Sequence, residues 1–419
     1  MTRVGFKSIH SSYMLFVLTL MYFCLQIDRS IVSVMISSIK TEFVLSDTQI
    51  GFMPLAFSLI FAVSGIPLGL LVDRSNRRNV VASCLLFFSV MTGLCGLAQS
   101  YLQLLLARFG VGAGEAGGGP GAMSMITDSF PLNERARAVS FLYLSTPLSL
   151  LVVFMGGSWM VTHLGWRITF FAAAIPGIVV GLLLLFTVKE APRQVSAAEH
   201  ERTRLVDVLR YIKKQRSLVH ILIAMLFSAT STASVLIWLI AFLERSHNIP
   251  MSQSGWMIGV LMGLSSLIGV FSGGFLADFF GRKDVINRTK MLAWSSLLAA
   301  PFLLGLLVFS NFTLLTICFG FWAVASSLYY GPGHALAQSL IDSRQRGTLA
   351  SIFYMLSAVI SSGMGPQIVG LMSDVLTPFF DHDSLRFALF SAVLFYLLSA
   401  YYFWSAGRTL EADLAKFNS

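Results

Sequence analysis

Apolar runs long enough to cross a hydrocarbon layer recur from one end of the chain to the other, separated by short clusters of charge. A hydrocarbon core of roughly 30 Å needs about twenty helical residues. On that length the pattern predicts twelve spans, at residues 13–38, 49–72, 79–99, 101–128, 135–161, 166–188, 217–246, 252–278, 286–309, 311–341, 345–374 and 384–406. The first run is too long for a cleavable leader and carries Asp28 and Arg29, so it is expected to stay in the mature protein.

The pattern fails once, over residues 189–216, where eight basic and four acidic residues leave no spanning run. This segment is expected to be a solvated connector. Its stretch from Glu199 to Arg216 has an alternative, an amphipathic helix on the inner membrane surface with Leu205, Val208, Leu209 and Ile212 on one face. The expected organisation is an N-terminal six-helix bundle over 1–188, a cytoplasmic linker over 189–216, and a C-terminal six-helix bundle over 217–419 that ends in a short cytoplasmic tail.

Composition agrees with lipid as the main solvent: 56% of residues are hydrophobic and only 12% charged. The formal charge of +9 does not imply a nucleic-acid partner, because no soluble domain exists to hold a basic face. With the N-terminus placed inside, 23 of the 29 Lys and Arg residues fall on the inner side, four (Lys40, Arg167, Arg245, Arg386) fall outside, and Arg29 and Arg108 lie within the membrane. That asymmetry predicts cytoplasmic termini and an even number of spans in a cell membrane, with a bacterial inner membrane the expected location. Cys24, Cys84, Cys95 and Cys318 all sit inside spans, where a thiol packs as a small apolar group. No phosphate-binding loop of the Gly-x-x-x-x-Gly-Lys-Ser/Thr type occurs, and the scattered histidines and cysteines lack metal-ligand spacing. An enzyme is therefore not expected, nor a cofactor or metal. The expected partners are a small-molecule substrate, protons and the bilayer, and the expected state is a monomer.

The two halves repeat a signal. Gly69, Asp73, Arg77 and Arg78 match Gly274, Asp278, Arg282 and Lys283 at a constant offset of 205 residues. A looser echo relates Pro120, Asp128, Arg135 and Arg137 to Pro332, Asp342, Arg344 and Arg346. At a tight corner the glycine permits close helix approach and the acid can pair with basic residues across the loop, as a moving gate requires. The plainer alternative is that these cations only orient the loops. Parallel six-helix repeats are a transporter architecture, with the ligand site between the halves.

Four ionisable residues lie inside the membrane in the first half: Asp28 and Arg29 in span one, Arg108 and Glu115 in span four. Each costs roughly 2.5–3.5 kcal/mol near the bilayer centre even on a lenient scale, so such groups face a cavity or pair with one another. Adjacent helix residues diverge by about 100°, whereas Arg108 and Glu115 share a face. Asp28 and Arg29 must therefore find partners on another helix, and span four is within reach. Glu115 and Asp28 are the expected proton-coupling acids, and Arg29 and Arg108 the expected anion contacts. A permanent structural ion-pair network is the competing reading. The second half offers Ser228, Thr230, Ser231, Thr232 and Ser234 in span seven, Tyr329 and Tyr330 in span ten, and Gln367 in span eleven. Of these, Thr230, Ser231, Tyr329 and Tyr330 are candidate ligand contacts, although Ser and Thr often bond back to their own helix. His334 reads as a packing or gate residue.

The repeated loop pattern resembles the signature of the major facilitator superfamily. The chain is similar over nearly its whole length to the spinster-like family within it, including bacterial members. The resemblance rests on Asp28-Arg29, Ile39–Phe43, Leu45–Gly51, Asp73–Arg78, Gly112–Ala116, Gly165–Arg167, Gly331–His334 and Asp383–Arg386. It implies an all-α membrane protein of twelve helices in two pseudo-symmetric bundles. It also implies proton-linked transport of amphipathic, lipid-like anions, since characterised eukaryotic relatives handle sphingosine phosphates and lysophospholipids. By the same resemblance Asp28, Arg29, Arg108 and Glu115 match the polar network at the substrate cavity. The fifth span, Ser145–Gly157, keeps only a remnant of the glycine pattern of antiporters, which leaves the direction of transport open. A related branch of organic anion symporters makes uptake of a small carboxylate the main rival, and a non-transporting sensor is a third reading.

Overall fold

The structure is a computed structural model that describes residues 9–190, 205–282, 284–342 and 345–418. Lys283 and Arg344, named in the repeat above, and the start of the linker helix, Glu199 to Arg204, lie outside the described residues. In chain order the helices are α1 (Ile9–Ile31), α2 (Ile36–Phe43), α3 (Asp47–Arg74), α4 (Arg77–Leu97), α5 (Tyr101–Glu115), α6 (Gly118–Ser129), α7 (Leu132–Tyr143), α8 (Ser145–Leu151) and α9 (Ser158–Thr187). They continue with α10 (Leu205–Lys214), α11 (Arg216–His247), α12 (Met251–Gly281), α13 (Ile286–Val308), α14 (Phe312–Ser327), α15 (Tyr330–Ser339), α16 (Arg346–Leu356), α17 (Gly365–Phe380) and α18 (Ser384–Asn418).

Among the described residues nine helical stretches are long and apolar enough to cross a membrane. Two are too long for one crossing: Arg137–Thr187, with 51 residues, and Arg346–Leu414, with 69. The first turns a corner at Gly165, whose φ of 82° only glycine adopts without strain; the second turns at Asp381, with φ 46°. Each thus supplies two spans. Tyr101–Ser129, broken between α5 and α6 at Ala116–Gly117, supplies one more, and the total is twelve. Large apolar side chains such as Val63, Phe186, Phe271 and Phe275 stand exposed, as lipid-facing surfaces require.

Span edges differ from the hydropathy reading where sequence carries no stop. The expected first span, 13–38, kinks through a 3₁₀ turn at Val32–Val34 before α2. The eleventh runs to Phe380 rather than 374. Short polar caps fix other ends: the side chains of Asn76, Ser100 and Asn311 accept from backbone N–H groups in the first turns of α4, α5 and α14.

The chain forms two compact units. Unit 1 comprises Met1–Leu45, Met53–Ser196 and Met251–Gly259; unit 2 comprises Ser46–Phe52, Ala197–Pro250 and Val260–Ser419. In unit 1, α4 packs on α5 and α9, and α1 on α8 and α9; in unit 2, α18 packs on α11, α13 and α17. The starts of α3 and α12 are exchanged between the units at repeat-related positions. Within unit 1 the start of α12 lies so close to the segment after α8 that a Cβ on Gly255 would stand 2.4 Å from the Phe154 carbonyl oxygen. That segment, Val152–Gly157, is π-helical, and so is Ser357–Met364 in unit 2, which begins 205 residues later. The repeat therefore extends beyond the loops to a backbone distortion of a kind that often marks functional helices.

The linker departs from the solvated connector expected of it. Helix α10 docks on unit 2, with Val208 and Ile212 buried in a core cluster beside Leu340, Ile341, Leu349 and Leu410. Tyr211 donates to the Leu340 carbonyl at 3.1 Å and accepts from Gln215 at 2.6 Å. Alternating apolar and charged residues suit either a membrane surface or a protein groove, and here the groove beneath α15 and α16 takes the apolar face.

Candidate functional site

The four intramembrane charges of unit 1 form two pairs, both joining α1 to α5. Arg29 Nε donates to Glu115 Oε2 at 2.6 Å, and Arg108 Nη1 donates to Asp28 Oδ2 at 2.9 Å. The divergence of neighbouring side chains on α1 is what sends Asp28 and Arg29 to partners seven residues apart on α5. The close approach of the helices around them depends on Gly112, where a Cβ would stand 2.6 Å from the Phe57 carbonyl oxygen of α3.

The two pairs are not equivalent. Arg108 and Asp28 are both buried, and Asp28 also accepts from the Thr92 hydroxyl of α4 at 2.5 Å. This pair is closed off from solvent, with Arg108 Nε left without a hydrogen-bond partner among the described residues. In the other pair the Glu115 side chain is 0% exposed while Arg29 is 29% exposed. The second oxygen of Glu115 has no hydrogen-bond partner among the described residues. Aromatic rings lie under both guanidiniums: Arg29 is 5.0 Å from the Phe61 centroid and Arg108 5.3 Å from that of Phe57, and the two rings stack at 6.0 Å. The sequence reading missed Thr92, Phe57 and Phe61. Only the i, i+4 spacing of the phenylalanines on α3 could have hinted at a shared face.

The hydroxyls of unit 2 are mostly consumed by the protein. Thr230 bonds to the Leu226 carbonyl and Ser361, and Ser231 to the Ala392 carbonyl. Ser228 meets Ser399 at 2.7 Å and Ser296 at 3.2 Å, Ser234 bonds to the Thr230 carbonyl, and Thr232 meets Tyr396. Tyr329 is buried, whereas Tyr330 is 56% exposed and stacks edgewise on His334, which in turn meets Phe353. Gln367 is half-buried, and its side-chain oxygen has no partner among the described residues.

The loop motifs are placed differently in the two units. In unit 1 the buried Arg77 pairs with Asp128 of the second echo and with Glu190, at 2.9 Å, and donates to Ser124 at 3.0 Å. The backbone N–H of Arg78 donates to Glu190 at 2.8 Å. Gly69 is half-buried and Asp73 exposed, and Asp73 has no ion-pair partner among the described residues; the acid that meets the arginines is thus not the one the motif supplies. In unit 2 Asp278 lies 3.9 Å from Arg288, while Gly274 and Arg282 are exposed. Among the described residues no three His, Cys, Asp or Glu side chains group as a metal site would need.

A family model described as Major Facilitator Superfamily matches residues 18–366. The chain belongs to this superfamily. It is therefore a multi-pass membrane transporter rather than an enzyme, with the all-helical fold of that family. An MFS-type efflux pump of Mycolicibacterium smegmatis is 28% identical over 93% of this chain and 90% of its own length. Protein spinster homolog 1 of Xenopus tropicalis is 24% identical over 92% of this chain and 78% of its own. The structure of a bacterial homolog of the human lysosomal transporter Spinster, in an inward-facing and unoccupied conformation, superposes with a TM-score of 0.88 and 25% identity, covering 98% of this chain and 99% of that one. The spinster-like resemblance thus holds in both sequence and fold.

Proposed function

We propose that this chain is a secondary transporter that works by alternating access and couples protons to the movement of an amphipathic, lipid-like anion. The reading includes cytoplasmic termini and the division into bundles 1–188 and 217–419 joined by the linker 189–216. The observation that carries it is the asymmetry of the Arg29–Glu115 pair, one partner reachable and the other fully enclosed.

An incoming phosphate or carboxylate competes with Glu115 for the guanidinium of Arg29, which can bind such groups in bidentate fashion. Once Arg29 turns to the ligand, Glu115 is left as an uncompensated buried charge, a state that costs several kcal/mol and is relieved by taking up a proton. Release of the ligand reverses both steps. Arg108 serves as the fixed member, holding Asp28 in a buried pair, and Asp28 is the second proton-exchanging acid. The stacked Phe57 and Phe61 offer an apolar shelf beside the anion site, which suits an acyl or sphingoid chain. In the second half Tyr330 is the exposed ligand contact of the reading, with Tyr329 packed behind it, while Thr230 and Ser231 serve mainly to hold helices together. The charged corners at Gly69, Asp73, Arg77 and Arg78 and at Gly274, Asp278, Arg282 and Lys283 act as gates. The monomer is the working unit.

Uptake of a labelled lysophospholipid into proteoliposomes, with and without a pH gradient, tests this for the wild type and Glu115→Gln. Gradient-driven flux that the substitution abolishes is the expected result. Flux indifferent to both would refute the proton mechanism, and flux seen only with a small organic carboxylate would replace the substrate class. Ligand binding without any flux would favour the sensor.

A further inference from the structure

Unit 2 has a groove of about 400 Å³ between α12 and α13. Met291 and Ser295 form its buried floor, and Phe280, Trp294 and Leu298 stand exposed along its sides. Asn287 and Lys290 line its end, in the first turns of α13. Unit 1 has a repeat-related groove of about 640 Å³ between α3, α4 and α5, lined by Leu71, Asn79 and Phe87 among others. Leu71 and Leu276, in the two grooves, are again 205 residues apart, and each groove has an asparagine in the first turn of the helix that follows its loop.

The grooves differ in charge. No ionisable cation or carboxylate lines the first, whereas Lys290 lines the second. Lys290 is exposed and has no ion-pair partner among the described residues; the neighbouring Arg288 is the one that faces Asp278. We propose that the unit 2 groove holds an anionic phospholipid, its phosphate on Lys290 and Asn287 and one acyl chain along Phe280, Trp294 and Leu298.

Geometry and chemistry agree on this occupant. Lys290 lies within about 6 Å of the start of α13, Trp294 about 6 Å deeper and Leu298 about 12 Å deeper, which is the order of headgroup, interface and chain. An ammonium and an amide N–H₂ supply donors that a phosphate diester accepts, and an unpaired lysine at the end of an apolar groove attracts a negative headgroup over a neutral one. The unit 1 groove, with an asparagine and no cation, holds a chain without preference for headgroup charge. This inference does not depend on the transport reading.

The test uses full-length purified protein in detergent, supplied with equimolar phosphatidylglycerol and phosphatidylcholine, with retained lipid measured by native mass spectrometry. Wild type is expected to retain the anionic lipid severalfold over the zwitterionic one. Lys290→Gln should bring retention close to parity, Lys290→Arg should restore the preference, and Arg386→Gln, which removes a cation about 30 Å along α18 from the Gly407 that packs on Thr289, should leave it unchanged. Thermal unfolding of each variant confirms that the exposed substitution leaves the fold intact. Equal retention by the wild type, an undiminished preference in Lys290→Gln, an equal loss in Arg386→Gln, or displacement of the lipid by millimolar inorganic phosphate alone would overturn the proposal.

Discussion

Asp47, in the first turn of α3, accepts from both terminal nitrogens of Arg245, in the last turn of α11, at 2.8 and 3.0 Å. Ser373 donates to the same carboxylate at 2.7 Å, and Asp374 caps the helix by accepting from the backbone N–H groups of Asp47 and Thr48 at 2.9 and 2.7 Å. One short turn of α3 is thereby fixed to α11 and α17 within unit 2, although the rest of α3 belongs to unit 1.

Removing one partner of this pair is expected to be costly. Asp47 is 2% exposed, and deleting half of a buried ion pair leaves the other charge uncompensated, at about 3–5 kcal/mol. Partial exposure of Arg245 places Asp47→Ala near the lower end. Thermal unfolding in detergent should fall by several degrees for Asp47→Ala and by less for Asp47→Asn, which keeps an acceptor. Unchanged unfolding in Asp47→Ala would show that the pair adds nothing to stability.

Arg29 and Glu115 should separate binding from coupling. Arg29→Ala is expected to weaken substrate binding tenfold or more, because it deletes the reachable cation. Glu115→Gln should leave binding within a few fold while flux loses its response to a pH gradient. Equilibrium binding and gradient-driven uptake, measured on the same preparations, check both. Equal loss of binding in the two variants would reduce the pair to a structural bridge.

Two glycines, Gly112 of α5 and Gly119 of α6, should respond oppositely to alanine. A Cβ on Gly112 meets the Phe57 backbone oxygen at 2.6 Å, and backbone cannot yield as a side chain would. Overpacking of that kind costs typically about 1–3 kcal/mol and would push α5 from α3, with Arg108 and Glu115 on it. Gly119 has nothing within 4 Å of its Cβ position, so Gly119→Ala should be tolerated. Unfolding temperatures of the two variants decide the matter, with equal behaviour counting against the packing argument.

The membrane fold was legible because twenty-residue apolar runs admit few readings, and the 205-residue repeat because charges at loop corners are sparse enough to align. The four intramembrane charges were legible for the same reason, and helical geometry was enough to require partners between α1 and α5. Thr92, Phe57 and Phe61 were not, since one hydroxyl and two rings among 35 phenylalanines look like any others in a spanning helix. Nor could sequence tell that Thr230 and Ser231 spend their hydroxyls on carbonyls and neighbours, because that depends on which helices meet. Asp47 and Arg245 stood in the sequence only as part of a family stretch and as an outer-side cation. Their pairing is long-range, and no periodicity encodes it. The π-helical segments at Val152–Gly157 and Ser357–Met364 are likewise invisible in hydropathy, which reads both as ordinary apolar helix.

A last expectation concerns acid stability and rests on Glu42, which lies between the first two spans at the end of α2. Burial pushes its carboxyl upward, but hydrogen bonds from Arg167 and the Trp166 indole N–H, each at 2.6 Å, together with the Arg167 charge, outweigh it and hold the group below its ordinary value of 4.5. A carboxylate depressed in the folded state contributes stability that is present above the unfolded value and is lost as pH falls through the folded one. The contribution is therefore intact near neutrality and is lost in acid, as pH falls past the ordinary carboxylate value and through the lowered one. Its size is limited, because the Glu42 side chain is 43% exposed and solvent screens the pair. The wild type should lose unfolding temperature between about pH 5 and pH 3 more steeply than Glu42→Gln, whose amide does not titrate. Arg167 also donates to the Ala98 carbonyl at 2.8 Å, so Arg167→Gln should destabilise at every pH while flattening the same acid limb. Parallel pH profiles for the wild type and Glu42→Gln would assign the acid response to other carboxylates.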